Sequence, residues 1–381
     1  MAKIKYRNKL HNLSDKMRIS GKTLGKVTSH DGATETERII GDYKAYKWAK
    51  VLMLLVVLVI CVVVFAIDIG LGSYKIGFIE VYEQIFGRLA DWNQTMSLDM
   101  HVVWELRMPR VILGLLVGVG LAMAGAAMQS MMKNPLADPY TTGISSGAAL
   151  GATLALTMGV TLVSGSFGVV LNAFIFALLP AAFIILISIF RKPSPAMIIL
   201  AGISLMYIFN AVQSYLMLVA DPDAAADVYT WTVGSLTNSS WSDLPYVFII
   251  CVVGGLILMY EARILNTMNS GDAYSKSIGI NVNRARIIIL VTISFMAAGI
   301  VSFTGIIGFV GLVGPHIARM FVGSDNKILI PAAALMGAVI MLLSDSLVQI
   351  IGSGMPVGII TSILGGPVFL FLIIRQKKEV W

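Results

Sequence analysis

Charge is what this 381-residue chain has least of: Asp, Glu, Lys and Arg make up 13% of it, about half the ~25% ordinary for a soluble domain. Hydrophobic residues make up 57%. A soluble protein of this length could not bury so much apolar surface, so lipid is expected to be the solvent for most of it. Cysteine is nearly absent. Cys61 and Cys251 both lie in apolar runs and read as core or lipid-facing residues, not as a disulfide or a metal pair. The four histidines, His11, His30, His101 and His316, are scattered without zinc spacing, so neither a metal centre nor a cofactor is expected. Asp and Glu are almost missing from the middles of the apolar runs. That disfavours an ion-coupled secondary transporter, which needs carboxylates near mid-membrane.

What charge there is collects at one end. The first 50 residues carry 12 of the 28 Lys and Arg and contain no long apolar run. Residues 1–47 are expected to be a basic, disordered cytoplasmic tail that helps orient the first span, with no nucleic-acid partner. This polar leader makes the first span a signal-anchor in place of a cleaved signal peptide. Ser20-Gly21-Lys22-Thr23 looks like the end of a phosphate-binding loop, but Lys16 stands where the earlier glycine belongs and no strand precedes it. No nucleotide site is expected in this chain.

Residues 48–381 read as the membrane domain. Windows of about 20 apolar residues, the length that crosses the hydrocarbon layer, fall near Trp48–Gly70, Met108–Met132, Thr141–Val160, Ser166–Phe190 and Pro195–Val219. Five more fall near Asp243–Tyr260, Arg286–Thr304, Gly305–Val322, Ile328–Ile350 and Pro356–Ile374. The expected fold is all-α, a polytopic bundle of about ten transmembrane helices. With both termini cytoplasmic, all but four of the 28 Lys and Arg (Lys75, Arg88, Arg107 and Arg110) lie inside, as the positive-inside bias requires. Small residues along the second span, Gly114, Gly118, Ala122, Gly125 and Ala126, suit close helix packing.

Four stretches carry more than hydropathy. They are Leu106-Arg107-Met108-Pro109-Arg110; Met128-Gln129 with Asn134-Pro135-Leu136-Ala137-Asp138-Pro139 and Gly143-Ile144-Ser145-Ser146-Gly147-Ala148; Gly271-Asp272-Ala273-Tyr274-Ser275-Lys276-Ser277-Ile278-Gly279-Ile280; and the run from Gly305 through Gly314-Pro315-His316-Ile317-Ala318-Arg319 to Pro356-Val357-Gly358 and Gly365-Gly366-Pro367. In this order and spacing they resemble the FecCD-type permeases of ferric-siderophore, haem and vitamin B12 importers, the type II importers, over roughly residues 50 to 377.

The resemblance implies a permease without catalysis of its own in the cell membrane. Its partners would be a second permease subunit, identical or not, two cytoplasmic ABC ATPase subunits and an extracytoplasmic substrate-binding protein. It further implies that Arg107 and Arg110 dock that binding protein. Three apart at an outer helix end, they would share a face and accept carboxylates. Where similar permeases carry a further docking arginine and a glutamate, this sequence has Gln349 and Met355, so the footprint is altered. Ser270, Gly271, Asp272, Ala273, Tyr274, Lys276, Ser277 and Gly279 would be the loop that seats in the ATPase. The segment from Glu261 to Arg286 reads as polar loop with two small helices joined by a turn. Ser194, Pro195 and Ala196 fall where the family narrows its cytoplasmic gate.

Single residues have plainer readings. His316 reads as a structural hydrogen bond or cap. Asp345, near the outer end of a span, reads as an interface-level carboxylate with access to water. Gly143-Ile144-Ser145-Ser146-Gly147 also matches Gly-x-Ser-x-Gly, the pattern of an intramembrane serine protease, but only His316 could be its base. The substrate of the permease, an iron chelate before a cobalamin, is not written in any residue cluster.

Overall fold

A computed structural model describes residues 35–92, 95–190, 194–352 and 354–375; the tail before residue 35, with Ser20–Thr23, lies outside them. The chain divides into two compact units, Met1–Leu52 and Met53–Trp381. The described part of the first is helical and belongs to α1 (Glu35–Gly70), which starts before the expected boundary near Trp48.

The second unit is helical throughout, and no strand occurs among the described residues. Its helices are α2 (Phe78–Ala90), α3 (Leu98–Met132), α4 (Ile144–Met158), α5 (Ser166–Phe190), α6 (Pro195–Val219) and α7 (Pro222–Thr232). There follow α8 (Leu244–Asn269), α9 (Asp272–Ser277), α10 (Val282–Thr304), α11 (Val310–Val322), α12 (Asn326–Ile351) and α13 (Val357–Arg375). Among the described residues, α1, α3, α5, α6, α8, α10 and α12 are long and apolar enough to cross a bilayer, and α4, α11 and α13 are shorter apolar helices. These ten coincide with the ten expected spans.

Two of the shorter helices, α4 and α11, are short for backbone reasons. A 3₁₀ turn at Pro139–Thr142 and left-handed Gly143 (φ 88°) delay the start of α4. Phe309, in the left-handed region at φ 67°, delays that of α11. The span expected from Gly305 therefore becomes an irregular entry followed by a helix of 13 residues.

At the centre lies α3, flanked by α12, α8, α11 and α10. Its small-residue stripe admits backbone contact. A Cβ on Gly125 would sit 1.8 Å from the carbonyl oxygen of Gly311, and one on Gly118 would sit 2.5 Å from that of Gly337. Close approach of this kind gains dispersion and packing where lipid offers no hydrophobic driving force between helices. A core of Ala122, Ala126, Met128, Leu258, Leu265, Ile289 and Ile293 fills the space between α3, α8 and α10.

Two differences from expectation concern the polar segments. Glu261 to Arg286 holds one small helix, α9, and not two. Ala262, Leu265 and Met268 keep the apolar face of α8 buried down to Asn269, and α10 already starts at Val282. α2 and α7 were not foreseen. α2 is amphipathic, burying Val81 and Ile85 while Phe78, Ile79 and Phe86 stay exposed, and its 13 residues cannot span a bilayer.

Candidate functional site

Three places hold the residues singled out by sequence. The first is the N-terminal end of α3. A π-helical stretch, Val102–Arg107, interrupts the helix there, and such wider turns often mark functional positions. The two arginines do not share an outward face. Arg107 is buried (5% exposed) and turns towards the end of α1, donating from Nη1 to the carbonyls of Ile69 (3.2 Å) and Gly70 (3.1 Å) and from Nη2 to that of Tyr74. Arg110 turns towards α12, where Nη2 and Nε hold Asp345 at 2.7 and 3.0 Å.

Asp345 is not the water-exposed carboxylate expected: it is fully buried. The reason is its neighbours. Gln349 Nε2 donates both to Asp345 Oδ2 (3.0 Å) and to Asp68 Oδ1 (2.9 Å), and Ser346 Oγ donates to Asp68 Oδ1 (2.8 Å). Gln349 thus links α1 to α12. Arg107, Arg110 and Gln349 line a cavity of about 370 Å³. A second, of about 340 Å³, presents Asp227, Thr230, Ser235 and Asn238 beside Trp231. Thr237 and Gly354 line both.

The second place is the opposite end of the bundle. α3 closes on Lys133, whose left-handed backbone (φ 51°) caps it through the carbonyls of Gln129 and Ser130. Lys133 Nζ lies 3.1 Å from Asp272 Oδ1, and Arg286 Nη2, on α10, lies 3.1 Å from Asp272 Oδ2. Partial burial alone would raise the Asp272 carboxyl, but the hydrogen bonds from Arg286 and Lys133 outweigh it and hold it below the usual carboxylate range. The remaining loop residues face out: Ala273, Tyr274, Lys276, Ser277 and Gly279 are exposed, while Ser275 is buried. Ser270 caps the end of α8 and Gly271 (φ 119°) opens α9. Sequence reasoning passed over Lys133 and Arg286; an arginine at the mouth of an apolar run was the available clue.

The third place is α6. Ser194 caps it, its Oγ accepting from the Met197 N–H at 3.2 Å, with Pro195 in its first turn and Ala196 exposed. Only 11% of its apolar stretch is buried within the chain. Ser204, Tyr207, Asn210 and Ser214 are exposed along it.

The protease pattern gains nothing from the geometry. Ser145 lies in the first turn of α4, and His316 is on α11 with its ring edge-on to Phe369, centroids 6.4 Å apart.

The chain is similar to known transport proteins over most of its length. Residues 58–375 match the model of the FecCD transport family. The hemin transport system permease protein of Yersinia pestis is 34% identical, over 82% of this chain and 93% of that protein. The iron(3+)-hydroxamate import system permease protein of Bacillus subtilis is 35% identical, over 86% and 97%. A solved structure described as an inward-facing conformation of a metal-chelate type ABC transporter superposes with a TM-score of 0.75 at 28% identity, covering 85% of this chain and 99% of that one.

Proposed function

This chain belongs to the FecCD transport family, and on that premise we propose that it is the membrane-spanning permease of an ATP-driven importer whose cargo is a ferric chelate, with cobalamin as the second reading. It is a transport component and not an enzyme; ATP hydrolysis belongs to a separate ATPase subunit. The cargo assignment rests on relatives named for hemin, hydroxamate and citrate iron, against others named for cobalamin.

One observation carries the assembly: α6 buries 11% of its apolar stretch yet offers Ser204, Tyr207, Asn210 and Ser214 at its surface. Polar side chains in a span are costly against lipid and are placed against protein or water. A second permease subunit set along α6 gives them both, with the cargo passing between the two and Ser194, Pro195 and Ala196 at its inner exit. The termini are then cytoplasmic. The exposed residues of the α9 loop meet two ATPase subunits, whose closure shifts the bundle between two arrangements. An extracytoplasmic binding protein docks over the outer cavity. There Arg110, whose side chain keeps 17% of its surface exposed, offers charge to a carboxylate, while Arg107 acts by holding the carbonyls at the end of α1 in place.

Reconstitution of the permease with its ATPase and binding protein in liposomes tests this reading. ATP-dependent accumulation of haem, a ferric hydroxamate and cobalamin is measured in parallel. Accumulation of an iron chelate alone is expected. Accumulation of cobalamin alone would move the assignment to the second reading, and accumulation without ATP would overturn it.

A further inference from the structure

The helix α9 is six residues long, too short to hold its own shape, since an isolated helical turn is unfavourable. Glycines bound it on both sides, Gly271 at φ 119° and Gly279 at φ 86°, and neither has an atom within 4 Å of where a Cβ would stand. Both ends are therefore uncrowded glycines in a backbone conformation that other residues resist. Its exposed side carries Tyr274, Lys276 and Ile278. Among the described residues, α9 is fixed to the bundle by buried Ser275 and by the carboxylate of Asp272, gripped at one oxygen by Lys133 and at the other by Arg286.

We propose that Lys133, Asp272 and Arg286 form the joint through which a displacement of α9 enters the membrane bundle, so that α9 moves as one body with the inner ends of α3 and α10. The proposal rests on the reading of the α9 loop as the ATPase contact. The two gripping residues stand on firm ground. Arg286 is 2% exposed on α10, and Lys133 is fixed by the cap that ends α3. The end of α3 is tied again one turn back. Ser130 Oγ donates to Asn326 Oδ1 at 2.7 Å, and Asn326 donates to Asn266 Oδ1 from its backbone N–H (2.8 Å) and its Nδ2 (2.9 Å). Asn266 Nδ2 donates in turn to Asp325 Oδ1 at 2.6 Å. The inner ends of α3, α8 and α12 thus form a collar of short polar contacts, and Asp272 fastens the loop helix to it through Lys133 and to α10 through Arg286. A pushed α9 lacking that fastening would swivel on its two glycines and leave the collar where it was. Lys133, Asp272 and Arg286 are positioning residues in this scheme; none touches ATP or cargo.

The measurement is the number of ATP molecules hydrolysed per chelate transported, in proteoliposomes holding permease, ATPase and binding protein. Lys133→Asn removes the charged grip and suits the left-handed backbone at that position, which asparagine tolerates, so α3 keeps its cap. Lys133→Gln removes the grip without that backbone benefit, and Lys133→Arg restores a cation. Both neutral variants are expected to keep the ATPase bound and its basal hydrolysis unchanged while the ATP-to-chelate ratio rises about threefold or more, the size of a modest coupling between groups in contact. Lys133→Arg is expected to return the ratio towards the unmodified value. A ratio unchanged in Lys133→Asn would overturn the joint. So would loss of the ATPase from the purified complex, which would make the grip a shape requirement for docking. A ratio raised equally by Lys133→Arg would also overturn it. If the unmodified complex shows no ATP-dependent transport, the importer reading itself falls, and the joint with it.

Discussion

Two spans of this molecule differ more than any other pair: 78% of the apolar stretch of α3 is buried inside the chain, against 11% for α6. Their mean hydropathies, 2.3 and 1.8, would both satisfy a membrane. Hydropathy therefore says that each crosses, and side-chain size and polarity say what each does there. The glycines and alanines of α3 let four neighbours approach its backbone, and its two ends carry polar fastenings, Arg107 and Arg110 at the N-terminal end and Ser130 and Lys133 at the C-terminal end. α6 packs on α4 and on the turn before it, where Gly202 meets Thr141 and Thr142, and carries large or polar residues outward elsewhere. One span is the frame; the other is the wall that the proposed second subunit or cargo would meet.

The comparison breaks hardest at Gly125. A Cβ there would stand 1.8 Å from the Gly311 oxygen, inside any permitted contact, and both partners are main chain. Gly125→Val is expected to cost more than about 4 kcal/mol, the range of severe overpacking in a core. It should show as loss of monodisperse protein on size-exclusion chromatography. A folded Gly125→Val would mean that α3 and α11 can part, and α3 would cease to be the frame.

Next comes the fastening between α3 and α12. Asp345→Asn leaves the Arg110 guanidinium without its counter-charge beside buried Asp68, for a loss of about 2–3 kcal/mol, at or somewhat below the range for broken buried pairs because Arg110 still reaches the surface. The paired change Arg110→Met/Asp345→Leu is expected to lose less than Asp345→Asn alone, since it removes both charges together. Thermal midpoints in detergent check both. The same pairing bears on docking. A charge reversal at Arg110 would disturb the α12 contact as well as any binding protein, so affinity and thermal midpoint must be measured on the same variant.

Much of this frame was legible in the sequence, and the reason is physical. A span needs an unbroken apolar run, so ten runs announced ten apolar helices. The small-residue stripe from Gly114 to Ala126 announced close packing. What stayed hidden depends on distance along the chain. Arg110 and Asp345 lie 235 residues apart, and Lys133 and Asp272 139 apart, and no periodicity links such pairs. Each was nevertheless expensive alone near lipid, which is a reason to have sought the partner of one in the other. α2 escaped because an amphipathic helix of 13 residues falls below any spanning window. The second small helix expected between Glu261 and Arg286 failed because polar residues there occupy the outer face of α8, whose inner face stays apolar to Met268.

On α6 the expected effect on stability is small and that on transport large, and this separates the wall from the frame. Asn210→Leu should move the thermal midpoint of the isolated permease by no more than about 0.5 kcal/mol equivalent, as at a surface position, while ATP-dependent uptake falls. Unchanged uptake would show that this face borders lipid alone, and the contrast with α3 would reduce to packing.

The smallest effect concerns the inner grip and its dependence on pH. Asp272 has a carboxyl held below its unfolded value by Arg286 and Lys133. A depressed carboxyl stabilises the fold fully above the unfolded value of about 3.9, and the contribution disappears as pH falls through the lower, folded value. The side chains of Lys133 and Asp272 are 32% and 39% exposed, so solvent screening keeps their share under about 1 kcal/mol. The gap in thermal midpoint between the unmodified protein and Lys133→Asn should therefore stay level from pH 8 to pH 5 and close below about pH 4. A gap that instead closed between pH 7 and pH 6 would place the titrating group on a histidine. The grip on α9 would then answer to something other than Asp272, and the inner end of α3 would lose the fastening that most separates it from α6.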